Sequence, residues 1–326
     1  MLILLEGCDG SGKTAAAGAL RDVWLALGHP ASSVEIMHKG PPDDPHGCPF
    51  LEYEVALDTE PLSSLVLAPD RLAVLDRWHI GDVVYGPRYR GFARYTPTGM
   101  LHTEMALSSL GAVKVLCSPS LEVVQDRVAR DGDDYIDQAD LPRIHAEYLE
   151  HGKKYGYAIL EDGRRDGVLQ QLLREASHRT EEARSLAVAS FSTWTGSLDP
   201  AVIFCGDELG GGRARVSGRF LEYQRPFTPL SPGSSSEWLL DALLECGMMT
   251  TSALVNAHHP GVSLPALAER LPEARWVALG ARASTALGGF GIEHRRAPHP
   301  AWSRRFRHSY HKEYAAQLAE AAGMEK

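Results

Sequence analysis

Long apolar runs are missing from this chain of 326 residues. No stretch approaches the ~18 consecutive apolar residues that a membrane span needs. The first apolar run, Leu2 to Leu5, stops at Glu6, too short for a secretory signal, so none is expected. Cysteine is scarce as well. The five cysteines, Cys8, Cys48, Cys117, Cys205 and Cys246, form no CxxC pair. That argues against a zinc ribbon, an iron–sulfur site or a disulfide framework, and it fits a reducing cytoplasm. Positive charge is in deficit: 33 Lys and Arg stand against 42 Asp and Glu. The deficit is local, with −10 over residues 1–190 and +1 over 191–326. The acidic half is therefore not expected to grip DNA by charge alone, and the two halves need not share a partner. No internal repeat or low-complexity tract is evident. The 44% hydrophobic and 23% charged content excludes collagen, gross disorder and a coiled coil.

What is present is a double alternation of strands and helices. Apolar runs at 2–5, 34–37, 72–75, 113–117 and 157–160 read as buried strands. Segments 13–27, 51–67, 99–110, 121–130 and 141–155 between them read as helices. Continuous apolar strands separated by helices predict a parallel sheet covered on both faces. A second set follows, with strands at 201–205, 253–255 and 276–279 and helices at 235–246, 264–271, 281–290 and 309–322. Residues 190–200 are rich in Ser, Thr and Gly, so 186–199 reads as a linker, and 210–218 and 227–236 read as loops. The expected architecture is α/β: two three-layer α/β/α domains over residues 1–185 and 200–326.

The first half carries Gly7-Cys8-Asp9-Gly10-Ser11-Gly12-Lys13-Thr14, a complete GxxxxGK[ST] motif between a strand and a helix. Glycines at this spacing let the backbone curl so that successive N–H groups face phosphates, and the helix N-terminus adds partial positive charge. Gly7, Asp9, Gly10, Ser11 and Gly12 are thus expected to cradle ATP. Lys13 reaches its β- and γ-phosphates, and Thr14 helps to hold Mg²⁺.

Glu6 through Thr14 resembles the opening of thymidylate kinases and related nucleoside monophosphate kinases. Asp76-Arg77-Trp78, at the end of the third strand, is a second match. The resemblance covers about residues 1–175. It implies that Asp76 assists Mg²⁺ or the acceptor phosphate and that Arg77 binds the acceptor phosphate. The chemistry agrees, since a guanidinium offsets the repulsion of two phosphates brought together. Arg127 and Arg130, followed by Asp131 to Asp137, occupy the place of the family's lid, where arginines cover the transferring group. The aromatic and arginine-rich stretch Tyr85 to Gly91 reads either as a segment that orients a base through Tyr85 or as a rigid surface loop. The chain departs from the pattern at Ala15, where a hydroxyl residue is usual. It also departs at Lys39-Gly40-Pro41-Pro42, which replaces an Arg-Glu-Pro, and at Trp78.

In the second half, four pieces fit one constellation. Asp207 and Glu208 follow the strand 202–206. Phe227 follows Arg225-Pro226. Asn256 ends the run Leu254-Val255, and His299 lies in Pro298-His299-Pro300. Carboxylate, aromatic, amide and imidazole at strand ends suit a nucleobase pocket. In that order they resemble the uracil-DNA glycosylase superfamily. By that resemblance Asp207 positions water, Phe227 stacks on the base, Asn256 reads the pyrimidine edge and His299 stabilises the leaving base. Arg295, Arg296, Arg304, Arg305 and Arg307 flank His299, with His294, His308 and His311 nearby. They suit a DNA backbone, with Trp302 as a wedge. Gly211 to Arg215 reads as a phosphate-binding loop.

The sequence therefore leads to a bifunctional expectation. A P-loop kinase uses ATP and Mg²⁺ on a pyrimidine deoxynucleoside monophosphate. A glycosylase-like domain recognises or excises a pyrimidine and contacts DNA. A homodimer is compatible with it, and no membrane partner is expected. Two alternatives stand beside it: a kinase acting on a hydroxymethyl-pyrimidine within DNA, and a nucleotide-dependent DNA-binding regulator with degenerate sites.

Overall fold

The computed structural model describes residues 1–38, 70–93, 95, 97–131, 136–161, 166–190, 195–207, 210–216, 219–225, 235–258, 262–301, 303 and 311–324. The helix expected over 51–67 lies outside them. Among the described residues the chain forms two compact units. The first draws on residues up to 96 and on 110–181; the second takes Pro97–Ser109 and residues from 182 onward.

Five strands build the first unit: β1 (Leu2–Glu6), β2 (Val34–His38), β3 (Leu72–Asp76), β4 (Val113–Cys117) and β5 (Ala158–Leu160). Their order is β2-β3-β1-β4-β5, and every pairing is parallel. β1 and β3 are buried at every position because helices cover both faces. On one face Ile3, Leu5, Val74 and Val115 pack against Ala16, Leu20 and Trp24 of helix Lys13–Ala26. Leu169 and Leu173 of helix Asp166–Ser190 join the same cluster. On the other face Leu116 meets helix Leu141–Lys154 so closely that a Cβ at Gly152 would lie 2.7 Å from its side chain. Trp24 is 2% exposed; its indole N–H donates to Ser33 Oγ at 2.8 Å, and its ring stacks on His29. Burying that N–H with a partner avoids a desolvation cost of about 1–3 kcal/mol.

The second unit holds β6 (Thr195–Gly196), β7 (Val202–Gly206), β8 (Gly210–Val216), β9 (Arg219–Arg225), β10 (Ser252–Asn256), β11 (Arg275–Leu279) and β12 (His294–Ala297). The main sheet runs β12-β11-β7-β10-β6, parallel except for the antiparallel edge strand β6. Two expectations change here. The stretch 186–199 contributes a strand of this sheet, with Gly196 opposite Ala253. The glycine-rich stretch 210–218 includes β8, which pairs with β9 in an antiparallel hairpin; turn-type composition is overridden by cross-strand backbone pairing. Ile203, Cys205, Ala253, Val255 and Ala278 pack against Leu264, Leu267 and Leu287 on one face. Ser263 starts helix Leu264–Arg270 by accepting from Ala266 N at 3.3 Å. Helix Pro97–Ser109 also belongs to this unit, and the Met105 side chain lies 3.2 Å from where a Gly196 Cβ would stand.

Both sheets reverse direction beside the strand that carries the motif. From β1 the chain builds β2 and β3 on one side, then β4 and β5 on the other. From β7 it goes to β10 on one side, then to β11 and β12 on the other. A crevice at the carboxyl ends of the strands is expected at such a switch point. No helix among the described residues is long and apolar enough to cross a membrane.

Candidate functional site

The loop between β1 and helix Lys13–Ala26 exists because three glycines take backbone conformations that other residues resist. Gly7, Gly10 and Gly12 have φ of 146°, 75° and 91°. At Gly7 a Cβ would stand 2.4 Å from the Cys117 carbonyl of β4; at Gly10 it would lie 3.0 Å from the Val124 carbonyl. The loop is thus pressed against β4 and helix Leu121–Asp131, which hold its curl. Lys13 opens the following helix and is 3% exposed. Its ammonium donates to the Cys8 carbonyl at 2.7 Å and to Ser11 Oγ at 3.4 Å. Burial pulls its pKa below the ordinary lysine range, opposed by Cys8, Cys117, Asp76 and Glu6 around it. The buried thiol of Cys117 is pushed up to about 12 and is inert.

Thr14 Oγ1 donates to Asp76 Oδ2 at 2.8 Å. Asp76 is 1% exposed, and its Oδ1 has no hydrogen-bond partner. A hydroxyl and a carboxylate with an unused oxygen, side by side beneath a phosphate cradle, fit the hard, oxygen-seeking Mg²⁺ ion. Among the described residues no group of three His, Cys, Asp or Glu side chains makes a metal cage. Phosphate oxygens and water are therefore the natural remainder of such a shell. His38, at the end of β2, brings Nδ1 to 3.4 Å from Asp76 Oδ2. His38 belongs to none of the motifs in the sequence.

Arg77 follows Asp76 with a φ of 68°, a left-handed conformation shared among described non-glycine residues only with Asp70. Its guanidinium pairs with the Asp9 carboxylate. The Asp9 N–H donates to the Tyr85 hydroxyl at 3.0 Å, and the Tyr85 ring meets Tyr148 edge-on. The structure thus joins Asp9, Arg77 and Tyr85. It alters the form expected of the 85–91 stretch: the chain is helical over Ile80–Tyr89, with Pro87 inside the helix. Arg88 forks onto Glu147 at 2.8 and 2.5 Å, and Arg90 pairs with Asp82. Those two arginines are committed to packing this helix.

The two arginines expected in a lid separate. Arg127 donates to the Gly10 carbonyl at 3.1 Å and so lies on the phosphate loop. Arg130 pairs with its neighbour Asp131 in solvent, both side chains more than half exposed. Residues 132–135 lie outside those described.

Sequence reasoning also missed Glu6, which is fully buried at the end of β1. Its Oε1 accepts from Trp78 N at 3.0 Å and Ile80 N at 3.1 Å. His79 Nδ1 lies 4.0 Å from the same oxygen. Burial raises the Glu6 pKa; His79, the Ile80 and Trp78 N–H groups and Lys13 oppose that shift.

In the second unit Asp207, Asn256 and His299 stand at the carboxyl ends of β7 and β10 and just past β12. Asn256 is 1% exposed, and its Nδ2 has no hydrogen-bond partner. Asp207 Oδ2 pairs with Arg282 Nη1 at 2.9 Å, and its Oδ1 lies 3.5 Å from His258 Nε2. Neither partner was foreseen. Burial pulls the His299 pKa below the ordinary histidine range, with Asp207 opposing. The His299 Nδ1 accepts from Ala301 N at 3.1 Å. Gly280, at φ 101°, lets the chain pass beside it; a Cβ there would lie 3.2 Å from the His299 Cβ. Glu208, Phe227, Trp302, Arg304, Arg305, Arg307 and His308 lie outside the described residues, as does the side chain of His311. His294 is engaged with Ser284 and the Ile292 carbonyl, and Arg295 donates to the Glu320 carbonyl. Arg296 is exposed.

No family model matches the chain, and no curated protein does. Among solved structures, the chain is similar to the YorR protein of Bacillus subtilis, solved in complex with phosphorylated GDP. The identity is 21% and the TM-score 0.41, over 55% of this chain and 98% of that one. It is also similar to deoxyadenosine kinase from M. mycoides with bound dCTP, at 15% identity and a TM-score of 0.30, over 55% of this chain and 99% of that one. The form with bound dATP gives 16% identity and a TM-score of 0.30, over 55% and 100%. Identities this low leave the chemistry to be argued from the chain's own side chains.

Proposed function

We propose that the first unit transfers the γ-phosphoryl group of ATP, with Mg²⁺, to the phosphate of a pyrimidine deoxynucleoside monophosphate, dTMP or a modified dUMP. The observation that carries this is one cluster of contacts at the ends of β1 and β3: Lys13 on its loop, Thr14 on Asp76, and Arg77 on Asp9. In this reading Lys13 is the cation for the donor phosphate and Arg77 the cation for the acceptor phosphate, both held on the same loop. An acceptor oxygen attacks the γ-phosphorus, the bond to the bridging oxygen breaks, and its electron pair leaves with ADP. Backbone N–H groups of the loop and Lys13 hold the donor. Arg77 exchanges Asp9 for the acceptor phosphate and offsets repulsion between the two anions. In this reading Arg127, held on the Gly10 carbonyl, covers the transferred group. Mg²⁺ held by Thr14 and Asp76 supplies charge neutralisation.

The favoured test is label transfer from γ-labelled ATP to a panel of deoxynucleoside monophosphates and to DNA containing uracil, thymine or 5-hydroxymethyluracil, with Lys13→Ala in parallel. Lys13-dependent formation of a free pyrimidine deoxynucleoside diphosphate supports the proposal. Label confined to DNA supports the second reading, a hydroxymethyl-pyrimidine acceptor. His38 favours that one: a hydroxyl acceptor, unlike a phosphate, has a proton to give up, and an imidazole beside Asp76 can take it. ATP binding with no transfer overturns both and leaves a regulator.

For the second unit we propose recognition of a pyrimidine base by Asn256 and His299 at the β7 switch point, with DNA the larger partner. Excision is disfavoured by Arg282. A guanidinium 2.9 Å from Asp207 offsets the negative charge that would stabilise a cationic sugar. Equilibrium binding of a deoxyuridine-containing single strand tests it; tenfold weaker binding by Asn256→Asp is expected, and equal binding by both proteins refutes it.

A further inference from the structure

We infer that Glu6 is a positioning residue for phosphoryl transfer: it fixes the turn that aims Arg77 at the phosphate loop. The inference rests on the kinase reading of the first unit. Arg77 carries a side chain in a backbone conformation that costs an L-residue free energy, so something around it must hold it there. Three hydrogen bonds do so, all from the end of β1. The Arg77 N–H donates to the Leu5 carbonyl at 3.0 Å. The N–H groups of Trp78 and Ile80 converge on Glu6 Oε1 at 3.0 and 3.1 Å. Leu5 and Asp76 are register partners, so the carboxylate needs only to reach across one strand spacing.

The Ile80 N–H opens helix Ile80–Tyr89, which makes Glu6 an N-terminal cap reached from another strand. The same helix presents Tyr85 to Asp9. One carboxylate therefore determines where the helix begins, where Arg77 points and how Asp9 is approached from both sides. Glu6 is fully buried, and its Oε1 is already taken by two backbone N–H groups. Its other oxygen, Oε2, has no hydrogen-bond partner. A group retained at that desolvation cost has its use in the two N–H groups it holds.

The test compares Glu6→Ala and Glu6→Gln in the full chain, alone and combined with Arg77→Ala. Gln keeps an acceptor oxygen in the same place. We expect Glu6→Ala to lower kcat about tenfold or more, with the KM for ATP within about twofold, and Glu6→Gln to restore kcat to within about threefold of wild type. Glu6→Ala added to Arg77→Ala should cost no further kcat, because both act through one group. Multiplying losses, or a Gln variant as poor as Ala, overturns the inference. A crystal structure of Glu6→Ala provides a readout without turnover: the Arg77 φ should leave the positive range. If Arg77 keeps its conformation there, the inference fails whatever the assay shows. If no protein, wild type included, transfers label, the kinase reading falls, and the Arg77 conformation still decides the structural half. Should Glu6→Ala not fold, Glu6→Asp takes its place, since the shorter carboxylate cannot reach both N–H groups. Wild-type kcat and an unchanged Arg77 φ in that variant overturn the inference.

Discussion

Replacing Gly7 by alanine should damage the first unit far more than the same change at Gly28. Both glycines have positive φ, 146° and 92°, so each substitution incurs a backbone cost of roughly 1–2 kcal/mol. Gly28 has nothing within 4 Å of its would-be Cβ, so that cost stands alone there. At Gly7 the Cβ would sit 2.4 Å from the Cys117 carbonyl and 2.7 Å from Ser11 Oγ. The serine can rotate, but the carbonyl belongs to β4, an interior strand of the sheet. To regain even 3.0 Å, β1 and β4 must separate by about 0.6 Å in a close-packed core. Overpacking of that kind costs about 1–3 kcal/mol more, for a total of about 2–5 kcal/mol. With about 2–4 °C per kcal/mol in a domain of this size, Gly28→Ala should lower Tm by roughly 2–8 °C. Gly7→Ala should lower it by roughly 4–20 °C. Thermal unfolding of the two variants beside wild type measures both. If Gly7→Ala melts no lower than Gly28→Ala, the steric argument is wrong.

Asp76→Asn should raise the Mg²⁺ concentration for half-maximal transfer by about tenfold while ATP binding in EDTA stays within about twofold; an unchanged Mg²⁺ requirement removes Asp76 from the metal site. Ser33→Ala should destabilise the first unit by about 1–2 kcal/mol in urea unfolding, because the Trp24 N–H loses its partner. Glu6 has a raised pKa in the fold, so its contribution to stability is fully present below about 4.5 and is lost as pH rises through the raised value. Glu6→Gln should therefore gain stability relative to wild type between acid and neutral pH, and a constant difference would falsify this. His299 shifts the opposite way. Its neutral form is favoured, so stability is present above about 6.5 and falls as pH drops through the lowered pKa. His299→Gln should flatten that fall, and an NMR titration of His299 with a midpoint at or above 6.5 counts against it.

Legibility differed sharply between the parts of the site. The cradle was readable because its geometry depends on adjacent residues: Gly7, Gly10, Gly12 and Lys13 specify one loop by themselves. The strands were readable because both faces are covered, which leaves unbroken apolar runs such as Leu2 to Leu5. The 85–91 stretch was open to two readings, a segment that orients a base or a rigid surface loop. Its helix is secured by contacts distant in sequence, Tyr85 with Asp9 and Arg88 with Glu147, which no local pattern records. Glu6 was quoted only as a motif's first letter. Its partners are backbone N–H groups more than 70 residues away, and backbone groups leave no mark in a sequence. Arg282 and His258 were missed for a related reason: an ion pair across strand ends has no fixed spacing.

Helix Pro97–Ser109 is encoded between β3 and β4 yet belongs with residues beyond 182. The order of synthesis therefore matters. When this helix leaves the ribosome, β6, against which Met105 packs, has not yet been made. The helix must wait through the whole remainder of the first unit before its apolar side, including buried Leu101, Met105 and Leu107, finds cover. A fragment beginning after residue 182 never receives it. Cutting this protein at its apparent midpoint would therefore yield an incomplete second half, and the two units are better dissected by point substitution in the intact chain.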